Sequence, residues 1–124
     1  MPLYNTASTA SALQVSHKWL DNLLSHNKIS GVQQARQGVP RRVSIDAVMV
    51  VAIAKTLTES AGIATPAAVE LASQLVTSPT GTVTLPNTVT LSVDLDALRH
   101  AILDRLAHAV EVTPHRVRGR PVGS

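Results

Sequence analysis

Apolar residues recur along the chain in short, separate rhythms, and each rhythm predicts an element. Residues 7–13 read as a short helix, with Thr6 as its N-cap and Ala10 and Leu13 on one face. Gln14-Val15-Ser16 interrupts that rhythm. Ser16 then caps a second helix, from 17 to about 26, whose apolar residues are Trp19, Leu20, Leu23 and Leu24. Two short helices joined by a tight turn are the helix-turn-helix arrangement, in which the first helix braces the second against DNA. The outward side of the second helix would carry His17, Lys18, Asp21, Asn22 and Ser25. Residues 29–36 read as a strand, 37–40 as a Gly/Pro turn and 41–44 as the returning strand. Such a hairpin is a wing, with Arg36 at its tip and Arg41 and Arg42 on its return.

Ser44 caps a third helix, from 45 to about 60, on which Ile45, Val48, Met49, Ala52 and Ile53 follow core spacing. Gly62 ends it. Thr65, as N-cap before Pro66, opens a fourth helix to about 76, with Ala68, Leu71, Ala72 and Leu75 on its buried face. Strict alternation over 82–85 and 88–93, around a Pro86-Asn87 turn, predicts a β-hairpin. Asp94 caps a last helix, from 95 to about 112, with Leu95, Leu98, Ile102, Leu106 and Ala109 as its stripe. A stripe that long needs a partner surface, from its own domain or from a second copy. The expected class is mainly α with small β-hairpins: a winged helix-turn-helix followed by a β-hairpin and a C-terminal amphipathic helix.

Composition changes this picture modestly. With no Phe, one Trp and one Tyr, the core must be aliphatic. No apolar run approaches membrane-spanning length, no signal-peptide pattern opens the chain, and there is no Cys, so a cytoplasmic, nucleoid-associated location is expected. Charge changes it more. Residues 1–43 hold five basic side chains against Asp21 alone, 44–112 hold three against seven acids, and 113–124 hold three arginines and no acid. Basic segments attract the phosphate backbone.

The stretch from Tyr4 to Val76 resembles the MerR-like winged helix family, including its excisionase-type members. The resemblance is carried in order by Tyr4-Asn5-Thr6-Ala7-Ser8-Thr9-Ala10, by Leu13-Gln14-Val15-Ser16, by Trp19-Leu20-Asp21-Asn22-Leu23-Leu24, by Arg41-Arg42-Val43-Ser44-Ile45-Asp46-Ala47-Val48, and by Gly62-Ile63-Ala64-Thr65-Pro66. It implies a DNA-binding domain over 1–77. Beyond it, the strands and long apolar stripe of the hairpin and helix over 78–112 offer a self-complementary surface that would pair two copies, and residues 113–124, without apolar periodicity, read as a basic disordered tail. Family regulators carry a long coiled-coil helix and often a Cys-bearing effector site at this point. This chain has neither, so no cofactor or metal is expected.

The candidate DNA-binding residues are Ser16, His17, Lys18, Asn22, Arg36, Arg41, Arg42, Arg116, Arg118 and Arg120. Arg118-Gly119-Arg120-Pro121 matches the core of an AT-hook, and its plainer reading is a basic tail that adds sequence-independent affinity. His100, Asp104 and His108 share a helical face, which reads as a solvated surface before a metal site. No nucleophile elbow, phosphate loop or metalloprotease motif is present, so no enzyme is expected. The leading expectation is a homodimeric, sequence-specific transcriptional regulator on double-stranded DNA, with RNA polymerase or another protein as an open further partner. The alternatives are a mobile-element or phage accessory protein, excisionase-like or a packaging subunit, and an adaptor that kept the fold but lost DNA binding. Asp21, where a basic residue would be common, favours the last.

Overall fold

The computed structural model describes residues 3–33 and 41–112. The elements run β1 (Leu3–Asn5), α1 (Thr6–Leu13), α2 (His17–His26), β2 (Val32–Gln33), β3 (Arg42–Ser44), α3 (Ile45–Ala61), α4 (Thr65–Thr77), β4 (Thr82–Leu85), β5 (Val89–Ser92) and α5 (Leu95–Val112). The fold is mainly α with small antiparallel hairpins. After the first two helices β2 and β3 pair antiparallel, with β2 confined to Val32–Gln33 and not the expected 29–36, and the expected Gly/Pro turn over 37–40 lies outside the described residues. Among the described residues, no helix is long and apolar enough to cross a membrane.

Local chemistry sets the helix boundaries. Asn5, not Thr6, caps α1: its Oδ1 accepts from the Ser8 N–H at 2.7 Å, and Thr9 Oγ1 donates to its carbonyl at 2.9 Å. Asn5 leaves β1 still extended, which is the backbone a cap requires. At the other end Gln14 takes a left-handed conformation, φ 57°, and the Val15 N–H closes on the Ala10 carbonyl at 3.0 Å. That closure satisfies the orphan carbonyls of α1 and turns the chain. Ser16 then caps α2 through a 2.9 Å bond from the Trp19 N–H. Thr65 is likewise not a cap. It lies inside α4, which follows Ala64 and has no side-chain cap.

β3 is the middle strand of a three-stranded sheet, with Val43 opposite Tyr4 of β1 on one side and Val32 of β2 on the other. Val43 is fully buried there. No element is expected over residues 3–5, and the β1 pairing comes from the structure. Gly31, at φ +94°, accepts from the Ser44 N–H at 2.9 Å, and a Cβ on it would run into the Ser44 side chain. Ser44 Oγ also accepts from the Ala47 N–H at 3.2 Å, so the end of β3 is the cap of α3.

α3 is the central helix. Its first turns bury residues on nearly every side, including Val48, Met49 and Val51, as a helix apolar all round must. α4 packs along it. On α4, Val69 is buried beside Ala68, Ala72 and Leu75, while Leu71 is only half-buried. The second hairpin pairs Leu85 with Val89, so its turn has three residues, Pro86 to Thr88, and not the expected two. Asp94 Oδ1 caps α5 by accepting from the Ala97 N–H at 3.0 Å.

α5 lies over α1 and α3 of the same chain. Its Ile102, Leu106 and Ala109 are buried and join one continuous core with Leu13, Leu20 and Met49. The stripe expected to offer a surface to a second copy is therefore occupied within the chain. The physical reason lies in α1, which buries Ala10, Ala12 and Leu13, packs against α5 and is too short to close a core alone.

Candidate nucleic-acid interface

α2 buries Leu20, Leu23 and Leu24 against the core and turns Lys18, Asn22 and Ser25 to solvent. The 3.6-residue period produces that division, because the three leucines fall on one stripe. Trp19 is half-buried. With Asn22, His26, Asn27 and Pro66 it lines a shallow cleft of about 320 Å³ between α2 and the start of α4. At the helix end, His26 Nδ1 donates to the Asn22 carbonyl at 2.8 Å and Asn27 Nδ2 donates to the Leu23 carbonyl at 3.0 Å.

A polar chain joins α2 to the root of the hairpin. Arg41, immediately before β3, places Nη1 3.2 Å from Asp21 Oδ1 and Nη2 3.0 Å from Ser25 Oγ. The second Asp21 oxygen stands 3.8 Å from His17 Nδ1, and His17 Nε2 is 2.9 Å from Thr6 Oγ1 at the start of α1. Thr6, His17, Asp21, Arg41 and Ser25 thus tie α1, α2 and β3 together along one edge.

This arrangement revises two of the expected roles. Arg41 is not a free cation on the hairpin: it is only 22% exposed and both terminal nitrogens are engaged. It acts as a positioning residue that fixes the hairpin root beside α2. Ser16 spends its hydroxyl on the α2 cap. His17 is exposed but engaged, while Lys18, Asn22 and Arg42 remain outward-facing. Lys28, exposed just beyond α2, is one of the five basic residues of the 1–43 segment and adds a cation outside the expected site set. Arg36, Arg116, Arg118 and Arg120 lie outside the described residues, as does the basic tail. On α5, Asp104 and His108 line a cleft with Ser11 and Gln14, and no cluster able to hold a metal ion occurs among the described residues.

Asp21 gains a specific explanation. Its carboxylate is the anchor for Arg41, so an acid on this helix face does not by itself argue against DNA. No sequence signal could have paired residues 21 and 41, since their meeting depends on the path of the intervening chain. No protein-family model, curated protein or solved structure matches this chain.

Proposed function

We propose that the chain is a double-stranded DNA-binding protein, working as a homodimeric transcriptional regulator. In this reading α2 enters the major groove with Lys18 and Asn22 toward base edges, and Arg42 and Lys28 meet phosphates beside it. The observation that carries the reading is the Arg41 bridge to Asp21 and Ser25, which holds the hairpin root against the outward face of α2. A helix and a hairpin locked side by side form one surface, and α2 is short enough to dock by its first turns. The element order from β1 through α4 supports the winged helix-turn-helix reading. Two copies would read two half-sites. With the α5 stripe occupied, they would meet through the outward side of the C-terminal hairpin and helix, where Val89 is 52% and Leu103 36% exposed.

A gel-shift series with selected and random duplexes tests the assignment. Arg42→Ala should weaken binding to every duplex and lower the salt slope by about one. Asn22→Ala should relax preference at one base position, by about 1–3 kcal/mol. Failure to retain any duplex at low salt would overturn the reading and favour an adaptor.

A further inference from the structure

A further concavity lies where α1, α3, α4, β5 and α5 converge. It encloses about 420 Å³. Leu13, Ile53 and Leu75 form its buried floor, and Leu57, Leu91 and Leu98 are its half-buried walls. Pockets for small molecules run from roughly 300 to 1,000 Å³, so the size suits one. Its origin is legible in composition: a chain with no Phe and one Trp has few side chains large enough to fill a five-element junction.

The polar rim has a sign. Lys55 and Arg105 line the cavity, and no acidic residue does so among the described residues. Lys55 Nζ is 3.2 Å from Glu59 Oε1, but Glu59 is 62% exposed and sits one turn along the same helix. Exposed pairs of that kind are weak and exchange readily. Arg105 makes no ion pair among the described residues. Apolar walls with two cations and no anion fit one ligand chemistry.

We propose that this cavity binds a small monocarboxylate with an apolar body, aliphatic or single-ringed. Its carboxylate meets Lys55 and Arg105, and its body lies against Leu57, Leu91 and Leu98. This site stands whether or not α2 reads DNA. Its occupant would touch Leu13, the last residue of α1 before the Gln14 turn, and so would contact the helix that braces α2.

The test titrates decanoate into the full chain and follows the methyl signals of Leu57, Leu91 and Leu98 by NMR, with decanol and decylamine in parallel. Decanoate should give saturable shifts at these methyls and raise the thermal midpoint. Decanol should bind about tenfold more weakly, since it lacks the charge-assisted contacts, and decylamine more weakly still. Lys55→Gln with Arg105→Gln should weaken decanoate about tenfold and leave decanol unchanged. If that pair perturbs the fold by circular dichroism, Arg105→Gln alone, at an exposed position, makes the same comparison. Absence of a saturable shift overturns the proposal, as does equal affinity for acid, alcohol and amine. Methyl shifts that follow protein concentration and not decanoate also overturn it, because a second copy would then fill the cavity.

Discussion

At the scale of single residues, the clearest contrast is between two adjacent arginines. Arg41 is half-buried and committed to Asp21 and Ser25, whereas Arg42 is exposed. Their substitutions should separate accordingly. Arg41→Ala should cost about 0.5–1 kcal/mol of stability, the range for a partly exposed ion pair, because Asp21 is 44% exposed. Adding Asp21→Ala to that variant should cost little more, and a double-mutant cycle by urea denaturation reads the coupling. Zero coupling would remove the tie between α2 and the hairpin. Arg42→Ala should leave stability within about 0.5 kcal/mol, as a surface change does. Gly31 is a different case. Its φ of +94° disfavours any L side chain, and the Ser44 it would strike caps α3. Gly31→Ala should therefore destabilise by more than about 1 kcal/mol. A midpoint in urea equal to the parent's would show that the loop from α2 to β2 can re-route.

At the scale of elements, legibility followed the strength of local pattern. α3 and α5 were readable because their apolar spacing persists over several turns, and α2 because Ser16 and three leucines fix its start and face. β1 was not readable. Three residues hold no periodicity, and the strand exists only because β3 lies beside it. The cap of α1 shifted by one residue for the same reason, since Asn5 takes its extended backbone from that pairing. The three-residue turn from Pro86 to Thr88 places Asn87 at φ 64° and Thr88 at φ 60°. Thr is a poor residue for that conformation, so alternation alone pointed to the simpler turn. The candidate site was half legible. Outward-facing Lys18, Asn22 and Arg42 follow from helix period and charge. The His17–Asp21 pair follows the helix i,i+4 spacing, whereas the Arg41–Asp21 and His17–Thr6 contacts span 20 and 11 residues and no local rule supplies them. The element that most changed meaning is α5, whose stripe closes the core over α1. Leu106→Ala should thus cost about 2–4 kcal/mol, the range for a large-to-small change at a fully buried site. Thermal unfolding should remain one transition, because the core is continuous. Two separate transitions would show instead that residues 78–112 fold as a unit of their own.

At the scale of the molecule, the proposed pairing of two copies needs a surface other than the α5 stripe, which is spent within the chain. Dimers need apolar surface at the centre of the contact, with charge excluded from it. Three large apolar side chains stand exposed among the described residues: Leu3 on β1, Val89 on β5 and Leu103 on α5. Two of them belong to the C-terminal hairpin and helix. The hairpin itself, β4 and β5 with their turn, carries no charged residue. Among the described residues its strands pair only with each other, which leaves an outer backbone edge on each. Sheet edges that lack Lys or another charge are poorly defended against a further strand. This face is where a self-complementary contact would cost least desolvation of charge. Val89→Lys with Leu103→Asp should therefore shift a dimer toward monomer in sedimentation velocity, with circular dichroism unchanged because both side chains are exposed. Affinity for one half-site should stay the same while affinity for a two-half-site duplex falls, since only the latter uses both copies at once. A dimer that survives both substitutions would move the contact to another surface, and a parent chain that sediments as a monomer on and off DNA would remove pairing from the proposed function while leaving α2 and its hairpin as the DNA-facing surface.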